Sequence, residues 1–151
     1  MTQLATISPC FPAMSDASVD KVRRLETWLL DLPQVDIPTR HVIHAGMYAR
    51  TITIPAGTVI TGALIKVPTM LVVFGDCTVF VGESSLRLTG HHVVPASAGR
   101  KQVFVAFEDT TLTMIFPTQA KTVEEAEAEF TDEFARLLSR HDKNEVVITG
   151  E

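Results

Sequence analysis

The sequence predicts a mainly β domain: one barrel or sandwich, with a single α-helix before it and a single α-helix after it. Three observations carry that reading. Between Thr39 and Pro117 the chain falls into short β-rich runs of alternating character, cut by Gly and Pro turn signals about every 8–12 residues. Upstream, Val22, Leu25, Leu29 and Leu32 recur at helical spacing. Downstream, Thr122 followed by Glu125 forms a Thr-x-x-Glu capping box that opens a second helix.

Composition bounds the answer. With 151 residues, 46% of them hydrophobic, the chain has enough material for one domain with a real core. Its expected divisions are a flexible arm at 1–15, a helix and linker at 16–38, the β-barrel at 39–117, and a helix with a tail at 118–151. A formal charge of −5 offers no basic footprint, so no nucleic acid is expected as a partner. No apolar run approaches the roughly 18 residues of a membrane span, so no membrane is expected either. The opening MTQLATISPCF has neither a charged start nor a long apolar core. The reading is a cytoplasmic protein without a secretory signal. Cys10 and Cys77 lack metal spacing and read as free thiols, Cys77 as a small hydrophobe within a strand.

Taken in order, Pro9, Pro12 and Ser15 argue against regular structure in the arm. Ser15 or Asp16 caps a helix from about Ala17 to Leu32, and Pro33 stops it. The segment from Leu32 to Pro38 is an extended linker. The densest strand signal follows, from Arg40 to Gly75. Tyr48, Arg50, Ile52 and Ile54 share one face there, and Ala49, Thr51 and Thr53 the other. Strands are expected at His41–Ile43, Met47–Ile54, Thr58–Lys66, Met70–Phe74, Thr78–Val81, Ser85–Leu88, His92–Val94, Lys101–Glu108 and Thr111–Phe116. Gly75-Asp76, Gly82-Glu83 and Gly90 are read as turns between them. The second helix is expected over Val123–Arg140, acidic at its start and basic at its end as the macrodipole favours. Val146-Val147-Ile148 reads as a short final strand or a contact with a partner chain.

The stretch HVIHAGMYARTITIPAGTVITGALIK, the Gly-Asp hairpin, VVPASAGRKQVFVAFEDTTLTM and the acidic helix together resemble the cupin superfamily of small jelly-roll barrels. They are similar in particular to cupin-like proteins of bacteriophages and prophages. The resemblance covers about Val35 to Arg140, and its most specific string runs from Met47 through Pro55-Ala56-Gly57 to Gly62. It implies a single cupin-like jelly-roll barrel. Cupin enzymes carry metal ligands in two motifs. Laid on this chain, the first puts Ala63 and Ile65 at the histidine positions and Thr69 at the glutamate position. The second puts Arg100 or Gln102 at its histidine. None of these is the expected ligand, so the resemblance implies the barrel without the metal, and no cofactor is expected.

Candidate functional residues follow. Tyr48 and Arg50, on an otherwise apolar face, suit either a pocket for an anionic or planar ligand or a subunit interface. Lys66, Arg100, Lys101 and Gln102 fall, by the resemblance, at the barrel mouth, and suit an anion there; the alternative is solvated loop charge over Pro95–Gln102. His91 and His92 point to opposite faces, and His92, with Val94, is the one expected to face inward. His41 and His44, three apart, read as either a metal pair or ordinary loop or core histidines. The six acids between Glu124 and Glu133 read as a solvated face or, alternatively, as an acidic surface that docks a basic partner.

The expectation is a non-enzymatic, metal-free binding protein of phage or prophage origin. It would take a small anionic ligand or a host protein at Tyr48, Arg50, Lys66, His92, Arg100, Lys101 and Gln102, and would form a homodimer. Two other readings stand beside it: a structural, virion-associated oligomer, and a metal-dependent enzyme using His41, His44 or His92.

Overall fold

The long hairpin Thr69–Ala96 sets the shape of the molecule. The computed structural model describes residues 10–137 and 143–151. Residues 1–9 of the expected arm, and residues 138–142 at the end of the second helix and the start of the tail, lie outside the described residues.

The described elements run in the order α1 (Asp16–Leu29), β1 (Thr39–His44), β2 (Met47–Ile54), β3 (Val59–Thr61), β4 (Thr69–Val81), β5 (Ser84–Ala96), β6 (Val103–Ala106), β7 (Thr110–Pro117), α2 (Val123–Phe130) and β8 (Glu145–Ile148). A short 3-10 turn covers Phe134–Arg136. All eight strands belong to one sheet, ordered β3-β6-β4-β7-β2-β1-β8, with β5 pairing the free side of β4. Every pairing between these strands is antiparallel except β1 with β8, so the sheet is mixed. It curls into a half-barrel with helices at its rim.

The curl begins at a glycine pair. β4 and β5 stay in register along their whole length, with Gly75 opposite Gly90. Residues 70–74 of β4 pair β7, whereas residues 77–80 pair β6. Gly75 sits at this change of neighbour with φ of 148°. A Cβ there would lie 2.6 Å from Thr110 Oγ1 and 2.7 Å from the Asp109 carbonyl oxygen. The expected turns at Gly75-Asp76 and Gly90 are therefore corners inside two continuous strands, and four expected strands become two. Glycine bends the hairpin here without ending its pairing.

Other boundaries shift for identifiable reasons. The expected strand Thr58–Lys66 is regular only over Val59–Thr61. Beyond it the Leu64 amide donates to Glu133 Oε1, and the Lys66 amide donates to the Phe130 carbonyl. α2 ends at Phe130, with Thr131 extended. After it, Asp132 reaches Lys66 and Glu133 reaches Lys101. Both expected caps form: Ser15 Oγ accepts from the Ser18 amide, and Thr122 Oγ1 accepts from the Glu125 amide. Residues 10–15 are more ordered than a free arm. Phe11 is fully buried, its amide donates to the Pro95 carbonyl, and its own carbonyl accepts from the Ser97 amide.

The buried core runs along the concave face, through Ile54, Val73, Cys77, Val79, Leu88 and Val94. α2 lays Phe130 against Tyr48 and Phe116, with ring centroids 6.3 and 6.1 Å away. No helix among the described residues is long and apolar enough to cross a membrane.

Gly75→Ala should destabilise the fold by about 1–3 kcal/mol, because the added methyl meets two backbone atoms, the Asp109 carbonyl oxygen and Thr110 Cα, as well as the Thr110 hydroxyl. Gly57→Ala is the control, with positive φ but nothing within 4 Å of the new Cβ. Urea denaturation of the two variants checks this; equal losses would refute the packing argument.

Candidate functional site

The concave face of the half-barrel is hollow. A cavity of about 950 Å³ opens between the sheet and the segment that leaves α1. That volume matches sites for small organic molecules, roughly 300–1,000 Å³. Its floor is apolar: Ile52 of β2, Leu71 of β4, Phe104 of β6, and Leu112 and Met114 of β7. Strand alternation puts these side chains on one face, and register keeps them adjacent, with Leu71 opposite Met114 and Ile52 opposite Leu112. The outer wall is a strap, residues 28–35, that carries exposed apolar side chains, Trp28 among them.

The polar part of the wall comes from Arg50, Arg100, Lys101 and Gln102, with Glu26 and Glu133. Arg100, Lys101 and Gln102 are all buried, at 2%, 1% and 5% exposure. They are not the solvated loop charges the sequence allowed. They precede β6, where the chain is not yet a strand; there the Gln102 carbonyl accepts from the Gly62 amide and the Arg100 carbonyl from the Ile65 amide.

Each lining cation has a different balance. Lys101 Nζ lies 3.0 Å from both Glu133 carboxylate oxygens and 3.0 Å from Glu26 Oε2. Burial raises the Glu133 pKa, but the Leu64 amide and the Lys101 ammonium outweigh that and hold it below the ordinary glutamate value. Arg50 Nη1 is 3.4 Å from Glu127 Oε2, and its guanidinium lies 5.6 Å from the Phe130 ring centre. Arg100 has no carboxylate partner among the described residues. Its Nη1 donates to the Ser97 carbonyl (2.7 Å), its Nη2 to Thr69 Oγ1 (2.6 Å), and its Nε to Gln102 Oε1 (3.3 Å). Burial lowers its pKa to about 10, which still leaves it charged near neutrality. The Gln102 amide nitrogen is buried and has no hydrogen-bond acceptor among the described residues.

Of the residues singled out from sequence, the cavity brings together Arg50, Arg100, Lys101 and Gln102. Tyr48, Lys66 and His92 lie outside its lining. Tyr48 is fully buried behind it, with its hydroxyl 2.7 Å from His41 Nδ1. Burial pushes the Tyr48 pKa up, so the phenol keeps its proton. Lys66 is at the surface, 2.6 Å from Asp132. His92 shares the inward face with Val94, yet its Nε2 is 2.9 Å from the Thr89 carbonyl oxygen, near the Gly90 corner and away from the cavity. His41 and His44 stand on opposite faces of β1, His41 buried and His44 bonded to Thr149 Oγ1, so they cannot share a metal.

Sequence reasoning missed Glu26, Glu127 and Glu133, reading the last two as part of a solvated face. For Glu127 a signal existed. It stands three residues before Phe130, beside the apolar stripe of α2, and it is 1% exposed. Nothing local marks Glu133, whose partner lies in a distant segment.

The positions where the resemblance places metal ligands do converge. Ile65 forms a bridge with Arg100, and Thr69 bonds its guanidinium. The donor set there does not fit a metal ion: Ala63 and Ile65 offer no donor, and Arg100 and Lys101 would repel a cation. Among the described residues no group of three or more His, Cys, Asp or Glu is placed to hold one.

No protein-family model matches the chain, and no curated protein does. Several solved structures align with it. A cupin superfamily protein from Desulfitobacterium hafniense aligns at 8% identity over 58% of this chain and 83% of that one, with a TM-score of 0.47. KdgF from Halomonas sp. aligns at 19% identity over 57% and 84%, with a TM-score of 0.47. Ectoine synthase from P. lautus aligns at 17% identity over 66% and 76%, with a TM-score of 0.49.

The Lys101 cluster generates a pH prediction. Because the folded Glu133 pKa lies below its unfolded value, its stabilisation is complete above the ordinary glutamate range. It is lost as pH falls through the lower folded value. Glu133→Gln should therefore have a lower Tm than the parent at neutral pH, and the gap should close on acidification. A gap that stays constant with pH would refute this. Lys101→Met, which removes the buried cation shared by two carboxylates, should cost about 3–5 kcal/mol in urea denaturation.

Proposed function

We propose that this chain is a binding protein that holds a small anionic ligand in the half-barrel cavity. The observation that carries the reading is Arg100: a guanidinium 2% exposed, in the wall of a roomy apolar cavity, without a carboxylate among the described residues. Burying an uncompensated charge costs several kcal/mol. An anion in the cavity would offset that cost, while the apolar floor supplies contact area. On the resemblance of the Met47–Gly62 string, the same proposal places the protein in a phage or prophage and in the host cytoplasm.

A specific observation also favours self-association. Met70, Val72 and Phe74 on the outer face of β4 stand between Pro95, Val93 and His91 of β5 and Ile115, Thr113 and Thr111 of β7. No Asp, Glu, Lys or Arg interrupts these three rows, although Met70, Phe74 and Val93 are 53%, 60% and 52% exposed. Two chains of net charge −5 would repel elsewhere. Packed through this face they bring no carboxylates together. The proposed occupant is a second copy of this chain.

Thermal unfolding with sodium salts of organic carboxylates, sulfonates and phosphates, at constant ionic strength, tests the ligand reading. At least one class should raise Tm saturably in the parent and not in Arg100→Met. Lys66→Ala, outside the cavity, should respond like the parent. If no class raises Tm, the reading fails. For the outer face, sedimentation equilibrium should find a dimer that the pair Met70→Lys and Val93→Lys converts to a monomer; a monomeric parent would refute it.

A further inference from the structure

The geometry points to a monocarboxylate with an apolar body as the cavity's occupant, its head held between Arg100 and Gln102. This rests on the anion-binding reading above and narrows it.

Donor counting fixes the head group. A guanidinium has five N–H donors, and Arg100 commits one each from Nη1, Nη2 and Nε. One N–H on each terminal nitrogen remains. Gln102 spends its oxygen on Arg100 Nε, and both N–H groups of its buried amide lack an acceptor among the described residues. Buried donors without partners are uncommon in folded proteins. A carboxylate is planar, takes two donors from a guanidinium fork, and keeps lone pairs for a neighbouring amide.

Charge counting fixes the valence. Lys101 is matched by Glu133 and Glu26, and Arg50 by Glu127, so Arg100 is the one lining cation without a carboxylate among the described residues. Because Lys101 faces two carboxylates, these three cations and three carboxylates sum to zero; a ligand's charge is drawn to Arg100 locally, and one such charge is tolerated better than two. A phosphate monoester carries about −1.5 to −2 at neutral pH. Its excess charge would sit in an apolar cavity whose wall already includes Glu26 and Glu133. The rest of the ligand meets Ile52, Leu71, Phe104, Leu112 and Met114, which offer no polar atoms, and the volume of about 950 Å³ is far more than a bare ion fills.

Three eight-carbon probes separate the possibilities: octanoate, octanamide and octyl phosphate. Binding is measured by isothermal titration calorimetry. Fluorescence of Trp28, the single tryptophan and a cavity-lining residue, gives a second readout. Octanoate should bind at least about tenfold tighter than octanamide, as expected for one charge-assisted contact shielded from water. Arg100→Met should erase that preference. Gln102→Leu, with Tm as the check on folding, should weaken octanoate several-fold while leaving octanamide less affected. Octyl phosphate binding tighter than octanoate would overturn the monocarboxylate assignment and leave the anion cavity standing. Equal affinity for octanoate and octanamide would overturn both. If none of the three binds, the inference falls, and the wider panel of salts then decides the anion reading on its own.

Discussion

The fold depends on where Lys101 puts its charge. A buried ammonium is tolerable only with partners at hydrogen-bond distance, and here it has two carboxylates from opposite ends of the chain. Glu26 belongs to α1. Glu133 follows α2 and also accepts the Leu64 amide beyond β3. One side chain thus ties both helical segments and the irregular β3–β4 connection to the start of β6. Those are the elements that wall the cavity. Released from Lys101, the helical segments would keep the bonds of Glu26 to Thr61, of Glu133 to Leu64, and of Phe130 and Asp132 to Lys66, but would lose this ionic link to the start of β6, and apolar contact there is non-directional. A directional ionic clamp at the rim is compatible with leaving the space behind it open.

The clamp also explains why Arg100 is left alone. Lys101 takes both nearby carboxylates, and Glu127, buried on α2, is taken by Arg50. Arg100 is then satisfied only by neutral oxygens, from Ser97, Thr69 and Gln102. Neutral acceptors fix the orientation of a guanidinium without cancelling its charge. The result is a rigid, oriented, incompletely compensated cation at the edge of apolar surface. Evolution for stability alone would favour Met at such a position, since apolar residues of similar volume commonly replace buried charges at no loss.

Much of this was legible in the sequence, and the failures have physical causes. Alternation placed Tyr48, Arg50, Ile52 and Ile54 on one face, and Ser15 and Thr122 cap the helices as their patterns require. The bland expectation failed at Pro95–Gln102. Three consecutive polar residues look like loop, because periodicity carries no information once the chain leaves regular structure. The burial of Lys101 is met by Glu26 and Glu133, and that of Arg100 in part by Thr69, all distant in sequence. Gly75 and Gly90 misled in a different way. Glycine marks both a turn and a corner, and only their register opposite each other separates the two. Met70, Phe74 and Val93 were read simply as strand residues. Their exposure follows from which face the cavity occupies, and a run of alternate apolar residues on both faces does not reveal that.

The strap from Trp28 to Val35 completes the argument about access. The Leu30 amide donates to Glu26, that of Asp31 to Trp28 and that of Leu32 to Leu29, while the Gln34 side chain donates to the Leu29 and Leu32 carbonyls. These hydrogen bonds close within the strap and α1, and none reaches the sheet. The opposite walls are strands paired along their length or segments clamped by Lys101. Opening the strap would expose Trp28, Leu30, Leu32 and Val35 little further, since each already stands more than 40% exposed. The element that can move at least cost in hydrogen bonds and apolar area is thus the one covering the apolar floor. A ligand with an apolar body gains most by drawing those same side chains down onto itself. For the proposed ligand, the Arg100 and Gln102 donors would lie on the clamped side, and the strap would be the wall that adapts to its apolar body. Recognition on the clamped segment and accommodation on the strap is the division that the hydrogen bonds, the ion pairs and the exposures favour for that ligand.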